Sequence, residues 1–344
     1  MNTRLEDALA KLSPKIRDAF LRAMQAHASG IDIAALVDAL ERKDLAAAAE
    51  IVKIKDGQLY QITEAIRAGY VDAGANAAAG LPLAIRSTFG FGVNPRAMEA
   101  VDRITGDFIT QFTDGQRETT KAIISGVVDD GIPVRTAALD IAGRINAATG
   151  LREGGYIDLD GPRAEIARKV KAILSDPERL REYFVRDAET GNWKPRYTTT
   201  DRRFDRTVLN AIRDGKPMDA KTIDKLTATH RTRLLRDRAE TISRNEGLNA
   251  LRAGERAGFQ AMVDNGTVAD DRIVREWIPT KDARTRHDHM VMAGQKRVGM
   301  GTPFTFPDGG LAMFPGDTSL DASPHDLIQC RCQCSYRLKR KSEA

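Results

Sequence analysis

Cysteine is scarce in this chain of 344 residues: there are three, at Cys330, Cys332 and Cys334, all within five positions. An odd and closely spaced set argues against a disulfide framework and leaves reduced thiols or a metal site. Long apolar runs are also missing, since no stretch approaches the roughly 18 residues of a membrane span. The first residues combine acids with an amphipathic helical pattern, unlike a signal peptide. We therefore expect a protein made in the cytoplasm, with no membrane partner.

The chain also has few aromatic residues and only a small excess of positive charge. Aromatics make up 6% of the chain, and 53 Lys and Arg against 48 Asp and Glu give a net charge of +5. Dedicated nucleic-acid-binding proteins usually concentrate positive charge more strongly, so the composition is compatible with DNA nearby but does not require it. The 42% of hydrophobic residues is typical of globular proteins, and the length fits two or three domains.

The first half of the chain has helical periodicity, which predicts an N-terminal helical domain over residues 1–150. The leucines on the first helix face are Leu5, Leu9 and Leu12. Ser13 and Pro14 predict a break and a new helix start, and Asp32 predicts a further N-cap. Residues 151–235 are predicted to form a second, more polar helical region.

A long arginine-rich segment comes next, and residues 236–268 are predicted to form a connecting helix. Its acids and arginines are spaced so that i, i+4 ion pairs can form along the helix. The alternative is a positive surface facing DNA or an acidic partner, continued by the basic C-terminal tail. The residues of this alternative nucleic-acid surface are Arg231, Arg233, Arg236, Arg238, Arg337, Lys339, Arg340 and Lys341. Of the two interpretations we favour the connecting helix.

The pattern changes from helix to strand after about residue 269. Residues 273–278 have β-type composition, and the segment 304–314 contains Pro-Asp-Gly-Gly between two short apolar runs, which predicts a hairpin. The last segment alternates in polarity, with the three cysteines on its apolar side. The sequence thus predicts a mainly α protein with a small α+β C-terminal domain, 269–344, that contains short antiparallel strands and a hairpin.

The C-terminal residues fall into an order that resembles a known family. A block Asp282-Ala-Arg-Thr-Arg-His-Asp-His289 is followed by Gly294-Gln295, the hairpin, a Pro315-Gly316-Asp317 turn and Cys330-Arg331-Cys332. This order resembles the Mu F-like head morphogenesis domain of phage minor head, or minor capsid, proteins. The lead-in helix is also similar, although Asn245 stands where Thr is more usual. The resemblance is specific over about 236–338 and only general upstream.

The resemblance implies a low-copy virion protein without a small-molecule substrate. Proteins of this family are made together with portal and capsid proteins in the host cytoplasm and enter the procapsid during assembly. The resemblance therefore implies a place in the capsid interior or at the portal vertex, and a role in head assembly and genome packaging or delivery. Its expected partners are the portal protein, the major capsid protein or both, on which the helical domain 1–150 would dock. Packaged DNA is a further expected partner.

The signature residues are predicted to have a structural role. Arg284 and Arg286 stand two positions apart, and Asp282 and Asp317 are candidate carboxylate partners for their guanidinium groups. A buried Arg–Asp network would order a loop-rich small domain without any catalytic step. The full signature comprises Asp282, Arg284, Arg286, His289, Gly294, Pro315, Asp317, Cys330, Arg331 and Cys332.

His289, Cys330 and Cys332 have side chains that suit zinc, with His287 or His325 completing the site. On a regular strand, residues i and i+2 lie roughly 6.5–7 Å apart, whereas two thiolates on one zinc approach within ~4 Å. The alternative is that the cysteines are small buried hydrophobic residues, with His289 hydrogen-bonded to a carbonyl or an Asp.

Nuclease or toxin-like catalysis through His289 is a third interpretation, but no second carboxylate pair accompanies it. We therefore expect no enzyme, and no cofactor other than zinc.

Overall fold

The computed structural model describes residues 3–87, 90–91, 94–129 and 131–339. Helix accounts for 61% of the described structure and strand for 9%, which confirms the predicted class, mainly α with a small α+β C-terminal part. The helices are α1 Thr3–Ser29, α2 Ile33–Glu41, α3 Leu45–Ile51, α4 Tyr60–Asn76, α5 Leu83–Arg86, α6 Pro95–Asp129, α7 Val134–Ala142, α8 Gly161–Ser175, α9 Asp205–Asp214, α10 Ala220–Asp264, α11 His287–Val291 and α12 Pro324–Leu327. The strands are β1 Arg144–Ile145, β2 Arg152–Glu153, β3 Phe184–Arg186, β4 Trp193–Pro195, β5 Ile273–Ile278, β6 Lys296–Val298, β7 Phe304–Thr305, β8 Leu311–Ala312 and β9 Gln333–Leu338.

Two predicted helix boundaries near the N-terminus have different outcomes. The N-cap at Asp32 is confirmed, because its carboxylate accepts hydrogen bonds from the amides of Ala34 and Ala35 at the start of α2. The predicted break at Pro14 is wrong, since α1 continues through it. A proline inside a helix removes one backbone hydrogen bond, but the apolar stripe runs on past it to Ile16, which is fully buried. Packing of that stripe therefore outweighs the local preference.

The chain divides into two compact units that are each assembled from separated stretches. Unit 1 comprises Met1–Ala19, Tyr60–Phe108 and Glu240–Ala344, and unit 2 comprises Phe20–Leu59 and Ile109–Ala239. The chain passes from one unit to the other within α1, α6 and α10 as well as between α3 and α4. The predicted division into consecutive segments followed changes of composition along the chain, and composition does not show which distant stretches pack together.

Unit 2 is built around two apolar cores. The first joins α2, α3, α7 and α8, and Leu36, Ile141 and Ile157 are fully buried in it. The second lies between the C-terminal half of α8 and α9, where Val208 is fully buried. Among the described residues of both units, no helix is both long and apolar enough to cross a bilayer.

Within unit 1, the C-terminal strands form a three-stranded antiparallel sheet in the order β6-β5-β9. Trp277 at the end of β5 pairs with Cys334 in β9 and is fully buried. The predicted hairpin is confirmed, since β7 pairs with β8 and places Phe304 opposite Ala312. The rings of Trp277, Phe304 and Phe306 pack together with the three cysteines in one apolar core. Cys330 and Cys332 of the signature belong to this core, and the ring of His289 contacts it.

Candidate metal centre

Cys330 and Cys332 lie in an irregular segment, because β9 begins only at Gln333. The distance of roughly 6.5–7 Å expected on a regular strand therefore does not apply to them. The Nδ1 atom of His289 lies 3.7 Å from the Cys330 sulfur and 3.2 Å from the Cys332 sulfur. All three ligand atoms lie within 4.8 Å of one another, and each side chain is buried. These three residues could hold a metal ion.

The ring of His289 is held by the apolar core. It belongs to the short helix α11, and its plane meets that of Trp277 edge-on, with ring centroids 6.3 Å apart. Phe306 lies on another side at 5.8 Å. The two histidines proposed to complete the site are not in the cluster: His287 is exposed, and so is His325, whose Nδ1 instead lies 3.6 Å from a carboxylate oxygen of Asp326.

The far side of the His289 ring faces a buried carboxylate. Its Nε2 atom lies 3.6 Å from Oδ1 of Asp326, whose other oxygen accepts a hydrogen bond from Ser323 at 2.7 Å. Neither Nε2 nor this Oδ1 has a hydrogen-bond partner among the described residues, although both are buried. A proton on Nε2 would point at Asp326 and leave the Nδ1 lone pair facing the thiols. Metal-binding histidines commonly have this arrangement, in which a carboxylate fixes the ring's tautomer.

Arg252 of α10 holds the backbone of the Cys-Arg-Cys segment. Its guanidinium donates to the carbonyl oxygens of both Cys330, at 3.0 Å, and Cys332. The hydrogen bond with the Cys332 thiol, the contact with the His289 ring and the nearby Arg252 charge together outweigh burial, so the pKa of Cys330 is lowered well below its ordinary value. The pKa of Cys332 is raised, because its proton is held by Cys330. Burial raises the pKa of Cys334 to about 12.

Asp282 has a different partner from the one predicted. Both of its carboxylate oxygens are bound by the guanidinium fork of Arg331, each at 2.5 Å. These hydrogen bonds lower the pKa of Asp282 below its ordinary value. The predicted pairing with Arg284 or Arg286 is therefore wrong: Arg286 donates to the carbonyl of Ile328 at 2.8 Å, and Arg284 is exposed. Arg331 stands between Cys330 and Cys332 in the sequence. Its ion pair with Asp282 therefore connects the cysteine segment to the first residue of the signature.

The remaining signature residues shape turns. Gly294 has a φ of +76°, a conformation that favours glycine, and its amide donates to the carbonyl of Trp277 at 2.9 Å. Pro315 is buried before Gly316, where an added Cβ would come within 2.4 Å of the Asn249 side chain. Asp317 was a candidate partner for an arginine, but its carboxylate instead accepts the backbone amides of residues 313 and 319. Gly294, Gly316 and Asp317 thus shape turns, and a structural role for the signature as a whole stays a prediction.

A cleft of about 410 Å³ opens beside the cluster and is partly walled by His289 and Cys332. Its basic lining residues are Arg244, Arg284, Arg286 and Arg331, and Glu240 is the one carboxylate among the described residues that line it. Its other lining residues are Thr241, Asn245, Thr280, Thr285 and Gln329.

The predicted nucleic-acid surface is contradicted at Arg231 and Arg238, which are buried inside unit 2. Arg231 lies over the ring of Tyr156 at 4.6 Å and donates to a backbone carbonyl. Arg238 donates to Gln116 at 2.7 Å and to the carbonyl of Asp158 at 2.6 Å. Burial lowers the pKa of Arg238 to about 10. The guanidinium groups of these two arginines are used in hydrogen bonds within unit 2 and are not available to DNA.

The other residues of that predicted surface are placed differently. Arg236 and Arg337 are exposed, and Lys339 is half-buried. Arg233 is half-buried and donates to the carbonyl of Thr200 at 2.8 Å. Arg340 and Lys341 lie outside the described residues. A DNA-facing role for the exposed members stays a prediction.

The contacts of Arg231 lead to a stability prediction for Asp140, a buried carboxylate on α7. Arg144 and Lys171 each donate to it at 2.6 Å, and Arg231 lies 3.5 Å away. Burial alone would raise the pKa of Asp140, but these three cations lower it. Because breaking a buried ion pair typically costs about 3–5 kcal/mol, we expect Asp140→Asn to lower the free energy of unfolding by about that amount at pH 7, measured by urea denaturation.

The pH dependence of the Asp140 effect follows from the direction of its shift. A lowered pKa in the folded state means that the stabilisation is complete above the unfolded value and is lost as the pH falls through the folded one. The difference between wild type and Asp140→Asn should thus shrink only below about pH 4. Asp38→Asn is the matched control, because Asp38 forms an exposed i, i+4 pair with Arg42 and should change stability by less than about 1 kcal/mol. Equal effects of the two variants would contradict the assignment.

Sequence reasoning missed two residues of the site. Arg252 was counted only as one of several arginines on a charged helix, yet it follows the buried Leu248 and Leu251 on the inward face. That spacing is the signal that could have singled it out. Asp326 has no such signal, because it follows a proline in a short loop helix and its proximity to His289 depends on the tertiary fold.

No protein-family model matches this chain, and neither the curated proteins nor the solved structures contain a significant match.

Proposed function

We propose that this chain is a minor head protein of a tailed phage or prophage. In this proposal it is a low-copy virion component that associates with the portal or the capsid interior and acts in head assembly and in genome packaging or delivery. The observation that supports it most is that motif residues far apart in sequence are close together in space. Asp282 binds Arg331, and His289 meets Cys330 and Cys332.

The convergence of these residues supports the resemblance because it gives the motif a physical reason. Residues matched by chance over 50 positions would have no reason to contact one another. Here their contacts connect the segment before β9 to the loop before α11 and to α11 itself. Arg252 of the lead-in helix adds a hydrogen bond to the same segment. The motif therefore has the character of a structural unit, as expected of a protein that works through assembly.

We also propose that the metal held by His289, Cys330 and Cys332 is zinc. One imidazole and two thiolates form a nitrogen and sulfur set that suits Zn²⁺, which such sites bind tetrahedrally. Three protein ligands leave a fourth position for water or an anion. The cleft beside His289 and Cys332 could supply either.

Nuclease-type catalysis through His289 has less support from the same geometry. Its Nδ1 faces two buried thiols and its Nε2 faces Asp326, so both ring nitrogens point at protein groups. Glu240, the one carboxylate that lines the cleft, forms an ion pair with Arg17 at 3.1 Å. His289 is therefore better placed to bind a metal than to exchange a proton with a substrate.

The proposal is tested by co-expressing the full chain with the portal and major capsid proteins encoded beside it, followed by mass spectrometry of purified particles. We expect the chain in the particles at far lower copy number than the capsid protein. A Cys330→Ser, Cys332→Ser double variant should enter poorly, whereas Cys334→Ser should enter like wild type. Absence of the wild-type chain from particles that contain portal and capsid protein would overturn the proposal.

A further inference from the structure

The cleft beside the cysteine–histidine cluster has an unusual balance of charge. Four arginines line it against one glutamate, and that glutamate is already paired with Arg17. Like charges gathered in one concavity repel each other and raise the local potential for an anion. An arrangement of this kind is stabilised when a negatively charged ligand enters.

The four guanidinium groups are not equally engaged. Arg331 is bound to Asp282, and Arg286 donates to the carbonyl of Ile328. The guanidinium groups of Arg244 and Arg284 have neither an ion pair nor a hydrogen bond within the part of the chain that the structure describes. Their donors are therefore available to a ligand, whereas the charge of Arg331 is balanced by Asp282 and Arg286 is held on a backbone carbonyl.

Two amide side chains add donors at the same cleft. Asn245 lies one residue after Arg244 on α10, and Gln329 lies beside Cys330. Gln329 has a φ of +55°, a conformation that is uncommon for a residue other than glycine. Glycine would adopt this backbone conformation with less strain. Placing the Gln329 amide at the cleft therefore lowers the local stability of the fold. Such strained positions are found often at binding sites.

We infer that this cleft binds the phosphate monoester group of a phosphorylated ligand. Arginine forks bind phosphate oxygens in pairs, and several arginines suit a dianion better than a singly charged carboxylate. The volume of about 410 Å³ lies in the range of small-molecule sites and accommodates a nucleotide. The shared chemistry is the terminal phosphate, supplied either by a free small molecule or by the 5′ end of a DNA strand. The inference does not depend on the virion role or on the identity of the metal.

The test is isothermal titration calorimetry of the full chain at low salt with four probes. The probes are inorganic phosphate, a mononucleotide, and one oligonucleotide with and without its 5′-phosphate. We expect binding of at least one phosphate monoester, weakened about tenfold by Arg284→Gln or Arg244→Gln and further by the double variant. Arg272→Gln is the matched control, because Arg272 is an exposed arginine of the same unit outside the cleft. It should bind like wild type.

The probes also identify the source of the phosphate. Tighter binding of the 5′-phosphorylated oligonucleotide than of the unphosphorylated one assigns the cleft to a DNA end. Binding of phosphate or the mononucleotide alone assigns it to a small molecule. The inference is overturned if no probe binds, or if Arg284→Gln and Arg272→Gln behave alike. It is also overturned if Cys332→Ser abolishes binding while the arginine variants do not, since the metal alone would then hold the phosphate.

Discussion

Arg275→Met is expected to destabilise the C-terminal part of unit 1 by about 3 kcal/mol or more. Arg275 is fully buried on β5, and its guanidinium donates to the carbonyls of Gly299 at 2.7 Å, Met313 at 2.9 Å and Thr302. Methionine fills a similar volume but donates nothing. Three carbonyl oxygens would lose their donor; the bond to Gly299 is buried and those to Met313 and Thr302 are part-buried, and a buried group left unsatisfied costs about 1–3 kcal/mol. Urea denaturation followed by tryptophan fluorescence measures the loss, because Trp277 lies in the adjoining core.

Arg297→Met is the matched control for this prediction. Arg275 and Arg297 flank the same ring, that of Phe304, at 5.3 Å and 5.7 Å, but Arg297 is only half-buried. Its guanidinium group donates to the carbonyl of Pro303 at 2.7 Å, a part-buried bond, and to that of Lys296 at 2.9 Å, an exposed one. We expect a loss of about 1 kcal/mol, because water can replace the donor at exposed carbonyl oxygens. Losses of equal size would show that the ring contact, and not the hydrogen bonds to the three carbonyls, determines the role of Arg275.

The second large effect is expected at the cysteines. Purified wild-type chain should contain about one zinc ion per molecule, and Cys332→Ser should reduce this content at least tenfold, because serine is a poor zinc ligand. Zinc binding is coupled to folding, so the variant should also lose about 3 kcal/mol, equivalent to roughly 10 °C in thermal midpoint for a unit of this size. Plasma mass spectrometry measures the metal, and calorimetry of the full chain measures the midpoint.

Cys334→Ser separates metal binding from the packing of a buried thiol. Cys334 is as buried as its neighbours but lies within β9, outside the three-residue cluster. Its serine variant should keep the metal and lose only the stability expected from placing a hydroxyl in an apolar core. Equal zinc contents in Cys332→Ser and Cys334→Ser would contradict the assignment of the ligands.

The sequence predicted those features of the fold that depend on local pattern. The strand at 273–278, the hairpin around Pro307-Asp308-Gly309-Gly310 and the cap at Asp32 were all predicted correctly. Each depends on a periodicity or a turn chemistry that operates within about ten residues. The general class, helices followed by a small α+β part, follows from the same signals.

Features that depend on distant neighbours were not predictable in this way. Arg231 and Arg238 lie in a segment whose composition suggests a basic surface. Their guanidinium groups are instead buried, and they donate hydrogen bonds to carbonyls of distant segments. Asp282 stands two residues from Arg284 in sequence, yet it pairs with Arg331, 49 residues away. Local spacing restricts which partners are within reach, and tertiary packing selects among them.

Zinc K-edge X-ray absorption spectroscopy of the purified full-length chain measures most directly whether the signature is a metal centre. The predicted spectrum has two sulfur ligands at about 2.3 Å and at least one imidazole nitrogen at about 2.0 Å. Cys330→Ser should remove one sulfur from the shell. A zinc ion bound by nitrogen and oxygen alone, or wild-type protein without zinc after purification in its presence, would contradict the assignment of His289, Cys330 and Cys332 as the ligands.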